Sequence, residues 1–205
     1  MKKLIAAISI AALLWFIMFS PWTSGLVSFW SAMTASALIL TCMSFYLYPT
    51  LKTEFHLTSM AVVIGLLSAL LLWLVFYLGD YFSTLLFDFA KPQVGGIYHM
   101  KVGYNPWVIG ALLLFIIGPA EEIFWRGYVQ NNLSRKYGSW VGVAATTLIY
   151  ALVHLWSFNF MLIMAAMVCG AFWGLLYMQQ KNNLVALIIS HAVWDVAVFL
   201  IFPIL

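Results

Sequence analysis

The feature that most constrains this chain is a series of apolar runs of roughly 20 residues, the length that crosses a bilayer as one α-helix. Seven such runs predict helices over Leu4–Ser20, Leu26–Tyr48, Ser59–Gly79, Pro106–Leu133, Trp140–Leu155, Phe160–Gln179 and Leu184–Phe202. Only 7% of the residues are charged, too few to coat a water-soluble domain of this size. The strict alternation over strand-length segments that a membrane β-barrel requires is absent. The expected fold class is an all-α, polytopic transmembrane bundle, with residues 1–205 forming one integral membrane domain in the lipid bilayer.

The breaks between runs set an orientation. Lys2, Lys3, Lys52, Arg135, Lys136 and Lys181 share one side if seven spans alternate, leaving Lys91 and Lys101 on the other. The positive-inside rule then predicts a multi-pass protein of the cell membrane with a cytoplasmic N-terminus and an external C-terminus. The first run, MKKLIAAISIAALLWFIMF, has the layout of a signal peptide. The following SPWTSG lacks a small-x-small cleavage site, so an uncleaved span is expected. The net charge of +3 belongs to these loops, and no basic–aromatic interleaving points to a nucleic-acid partner. Cys42 and Cys169 sit far apart in apolar runs and read as small buried hydrophobes. Residues 80–105 form the one long connection, whose opening YFSTLLFDF suits a short interfacial helix, a cover over an entrance or a plain connector. Gly170 and Gly174 make a GxxxG, which close helix packing explains.

Against this background the polar residues stand out. Of the six acids and four histidines, Glu54, Asp80, Asp88, His56 and His99 fall in loops or at span ends, where solvation accounts for them. Glu121, Glu122, His154, His191 and Asp195 fall inside the last four expected spans, together with Arg126. An ionisable group at mid-membrane costs about 2.5–3.5 kcal/mol on insertion scales, so a cluster of them implies a use. Glu122 and Arg126 are four apart, on one helix face, and can pair. Glu121 points about 100° away and addresses another helix. Pro119 withholds a hydrogen bond from the carbonyl of Phe115, loosening the helix before the two glutamates. His191 and Asp195 are also four apart, so the carboxylate can orient the imidazole. Tyr150 shares a face with His154.

Such a pocket suits peptide hydrolysis without a covalent intermediate: a glutamate and a histidine take a proton from water and aim it at a carbonyl. A second histidine stabilises the oxyanion. No cofactor is required by this chemistry.

The residues also resemble a known family. EEIFWR (121–126) matches the EExxxR motif of the CPBP intramembrane proteases, the CAAX-protease and bacteriocin-processing (Abi) family. YALVH (150–154) resembles its second motif, FxxxH, and HAVWD (191–195) its third, HxxxN or HxxxD. The resemblance spans residues 106–200 and implies a glutamic-type endopeptidase core acting on a membrane-associated protein or peptide. By that resemblance Glu121 and His154 activate water, while His191 and Asp195 support the oxyanion. Glu122 and Arg126 hold the architecture. Tyr150 departs from the usual Phe and adds a hydroxyl. Asp195 stands where the eukaryotic branch has Asn; an ionised carboxylate cannot donate to an oxyanion, so Asp195 is expected to orient His191 instead.

Other classes remain open on the sequence alone. Glu, His and His can ligate zinc, although no HExxH is present, so a metal site is disfavoured. YLGD (77–80) lacks the GxGD of aspartyl intramembrane proteases, and Ser190 has no GxSx context. A scaffold or immunity factor would bind a peptide in the same pocket without cleaving it. A proton-coupled transporter would use the same groups as a relay, but no internal repeat supports one.

Overall fold

The computed structural model describes residues 1–180 and 183–204; Lys181, used above for orientation, lies outside the described residues. Seven helices are long and apolar enough to cross a membrane. The bundle comprises α1 (Lys2–Phe19), α2 (Phe29–Leu47), α3 (Ser59–Leu86), α5 (Pro106–Tyr137), α6 (Ser139–Val153), α7 (Phe160–Gln179) and α8 (Leu184–Ile201), with a short α4 (Ala90–His99) between α3 and α5. No strand occurs among the described residues.

Local chemistry fixes the helix starts. Side chains of Thr58, Asn105, Asn159 and Asn183 accept hydrogen bonds from the backbone N–H groups of Ala61, Trp107, Leu162 and Val185, satisfying donors that the first turn leaves free. The turn from α5 to α6 depends on Gly138, whose φ of 92° is open to glycine and strained for other residues. In lipid, where burial of apolar surface drives little association, close backbone packing holds the bundle. At Gly170 an added Cβ would lie 3.2 Å from Thr147 Cα, so the GxxxG of α7 seats α6 directly on its backbone. Leu66, Leu67, Leu70, Leu71 and Leu74 of α3 stay exposed, as a lipid-facing stripe requires.

The connection after the third span differs from expectation. α3 continues through Gly79 and Asp80 to Leu86, so the YFSTLL stretch extends α3 rather than forming a separate short helix. The separate short helix is Ala90–His99, with Pro92 in its first turn where no intrahelical donor is lost. It packs between the ends of α3 and α7, tied by Gln93: its carbonyl accepts from Asn159 Nδ2 (2.8 Å) and its Oε1 from Met161 N–H (3.0 Å).

Candidate active site

The site grows out of an irregular α5. Pro119 supplies no N–H, and the preceding turn widens to a π-helix over Leu113–Ile117, with Gly118 N–H bonded to the carbonyl of Leu113. A second π-helical stretch covers Ile123–Gln130. Gly118 also lets α8 approach: an added Cβ would lie 3.0 Å from Ala192 Cα and 3.1 Å from Ala192 N. That contact sets His191, the residue before Ala192, beside Glu122.

Glu122 and Arg126 are both fully buried. Glu122 Oε1 accepts from Arg126 Nη1 at 2.9 Å and from His191 Nδ1 at 2.7 Å. Arg126 Nη2 donates to the carbonyls of Cys169 (3.2 Å) and Gly170 (3.4 Å), and its guanidinium lies 5.1 Å from the Tyr150 ring centroid. His191 stacks on Trp173, with ring centroids 3.8 Å apart and 19° between planes. Its Nε2 is 3.5 Å from Asp195 Oδ2. The carboxylate nearest His191 is therefore that of Glu122, with Asp195 farther off on the other edge of the ring.

Glu121 faces away from this pair, as the helical offset requires. Its Oε2 accepts from the Tyr150 hydroxyl at 2.6 Å, and its other oxygen accepts no hydrogen bond from the described residues. His154 sits at the C-terminal cap of α6, before a 3-10 turn over Leu155–Ser157. Its Nδ1 lies 2.7 Å from the Tyr150 carbonyl oxygen. Tyr150 thus holds both groups at once, Glu121 by its hydroxyl and His154 by its main chain.

Glu121, Tyr150, His154, His191 and Asp195 all line one cavity of about 510 Å³, while Glu122 and Arg126 lie behind its wall. Most of its remaining lining is aromatic or aliphatic, including Phe19, Phe29, Met33, Phe76 and Phe160. It extends past Asp80 and Ser83 of α3 to Val94 and Tyr98 of α4, toward the end of the bundle opposite Arg135 and Lys136. No three or more His, Cys, Asp or Glu residues among those described group as metal ligands would.

Two contributors to the site, and one buried carboxylate away from it, are illegible in the sequence. Trp15 of α1 donates from its indole Nε1 to His154 Nε2 at 3.1 Å, across 139 residues, and nothing in an apolar span marks it. Trp173 lies within the GxxxG and supplies the stacking platform for His191. Glu54, expected to be solvated, is buried: the segment Pro49–Glu54 folds under the bundle, and the carboxylate accepts from Asn131 Nδ2 and Tyr177 hydroxyl, each at 2.5 Å. Burial raises its pKa above the ordinary carboxylate value, and those two hydrogen bonds oppose the rise.

Seven spans around a buried cluster of carboxylates, imidazoles and one guanidinium, opening on an apolar cavity, define a polytopic membrane protein with a buried polar site. Residues 103–197, which take in α5 to α7 and α8 as far as Ala197, match the family model described as type II CAAX prenyl endopeptidase Rce1-like. Over that segment the chain is similar, at family level, to CAAX-type membrane proteases. Neither the curated proteins nor the solved structures gave a match to this chain.

Proposed function

We propose that the chain is a glutamic-type intramembrane endopeptidase acting on a membrane-associated peptide or protein. The observation that carries this reading is the bridge made by Tyr150, which holds Glu121 and His154 on one wall of the cavity with one Glu121 oxygen free. Glu121, assisted by His154, takes a proton from a water molecule. The water oxygen then bonds to the peptide carbonyl carbon, and the carbonyl electron pair moves onto its oxygen. His191, whose Nδ1–H is held by Glu122, carries a second proton on Nε2 and donates from there to that oxyanion. Its ring is gripped between Glu122 and Asp195 and clamped on Trp173, so little reorganisation accompanies the charge. Glu121 returns the proton to the leaving nitrogen, the C–N bond breaks, and a carboxylate and an amine result. Arg126 neutralises Glu122 from behind the cavity wall. The aromatic lining favours an apolar segment of substrate and excludes bulk water, which strengthens every one of these polar contacts.

Purified protein in liposomes is expected to cleave a quenched apolar peptide, to keep that activity in chelator, and to lose it in His154→Ala. Binding without cleavage by the wild-type protein would instead support a scaffold, and activity lost with a tightly held metal would support a zinc enzyme.

We also propose that the N-terminus is cytoplasmic, from Lys2, Lys3, Lys52, Arg135 and Lys136 clustering at one end of the bundle. The cavity then extends toward the non-cytoplasmic end. A reporter fused to the C-terminus is expected to be active outside the cytoplasm; cytoplasmic activity there reverses the orientation.

A further inference from the structure

The hydrogen bonds of His154 fix its chemical state. Its Nδ1 meets the Tyr150 carbonyl oxygen, which can only accept, so Nδ1 carries the proton and Nε2 of the neutral ring presents a lone pair. The Trp15 indole N–H, which can only donate, fills that lone pair from 3.1 Å. Both nitrogens are therefore engaged, and the one able to take a proton from water is covered.

The covering group is buried and borders the cavity. Trp15 is 1% exposed, and its ring stands edge-on to Trp125 at a centroid distance of 6.1 Å. Phe19, one turn further along α1, packs against the same imidazole at 5.5 Å. Trp15, Phe19 and His154 all line the cavity, so the indole has open volume beside it. α1 lies outside residues 103–197, so this contact comes from a part of the chain that the family match does not reach.

We propose that Trp15 is a positioning residue that locks His154 in its proton-accepting tautomer and caps Nε2 until substrate binding turns the indole aside and water replaces it. This rests on the reading of His154 as a partner in water activation. The exchange swaps one N–H donor for one O–H donor, so His154 keeps the same tautomer before and after. The uncapped resting site would hold an activated water with no substrate present; the capped one does not.

Trp15→Phe keeps a buried six-membered aromatic ring and removes the donor together with the smaller ring of the indole. Carbethoxylation of His154 by diethyl pyrocarbonate, followed by peptide mass spectrometry on the full chain in detergent, is expected to speed up about three- to tenfold, the range one neutral hydrogen bond controls. The exposed His56 serves as the internal reference. On a cleavable peptide the same variant should lower KM about threefold or more with kcat little changed, since binding no longer breaks the cap. Unchanged His154 reactivity in folded Trp15→Phe overturns the proposal. If that variant does not fold, nitrogen NMR of wild-type protein labelled at histidine and tryptophan decides: an unprotonated Nε2 of His154 coupled through a hydrogen bond to the Trp15 indole N–H supports the cap, and the opposite tautomer or a bare Nε2 overturns it. Reactivity does not depend on proteolysis. Faster modification in Trp15→Phe alongside full cleavage by His154→Ala would keep the cap and remove the catalytic reading beneath it.

Discussion

Glu121→Gln is expected to lower turnover at least about 100-fold, the lower end of what general-base catalysis contributes. The substitution preserves shape, and the amide oxygen still accepts from the Tyr150 hydroxyl, 2.6 Å away in the wild type. What disappears is the basic oxygen that takes the proton from water. Because Glu121 is not paired with Arg126, its neutralisation leaves the buried Glu122–Arg126 pair intact. The melting temperature should therefore stay close to wild type and peptide binding should persist. The readout is cleavage of a quenched peptide in liposomes, beside a thermal melt and a binding titration. Full activity in a folded Glu121→Gln protein ends the glutamate-base hypothesis.

The separation of Glu121 from Glu122 is the part of this site the sequence makes legible. Two adjacent glutamates on a helix must face different neighbours, and Arg126 four residues on selects Glu122 as its partner. The structure bears out that pairing at 2.9 Å. The spans are legible for a similar reason, since bilayer thickness dictates the length of an apolar run. What sequence does not convey depends on contacts between distant segments. In the sequence Asp80 reads as a boundary that ends α3 at Gly79, yet Asp80 is half-buried and faces the cavity, so the helix runs on to Leu86. The polar segment around Glu54 reads as solvated; only the fold shows Asn131 and Tyr177 converging on it. Spacing along one helix pairs His191 with Asp195, whereas the shorter contact comes from Glu122 on another. Intrahelical spacing is visible in a sequence. Interhelical approach, licensed at this site by Gly118 against Ala192, is not.

Because Glu122 serves two partners through one oxygen, Glu122→Gln should differ from Glu121→Gln in kind. Arg126 would remain fully buried with only the Cys169 and Gly170 carbonyls and two aromatic faces around its charge. Removing one partner of a buried ion pair costs about 3–5 kcal/mol, because the surviving charge is left uncompensated. The melting temperature should fall clearly, and cleavage should fall with it, since His191 loses the carboxylate that fixes its ring at 2.7 Å. Stability and rate can then be separated by a second change. Glu122→Gln with Arg126→Met removes both charges together, and replacing a buried pair by groups of similar volume is often neutral. That double variant is expected to regain most of the lost stability and to stay slow, because nothing has been restored to His191. A Glu122→Gln protein that melts like wild type would show that the pair does not stabilise the bundle. A double variant that recovers full turnover would show that Glu122 matters to the site only through Arg126, and that its contact with His191 contributes nothing to the rate.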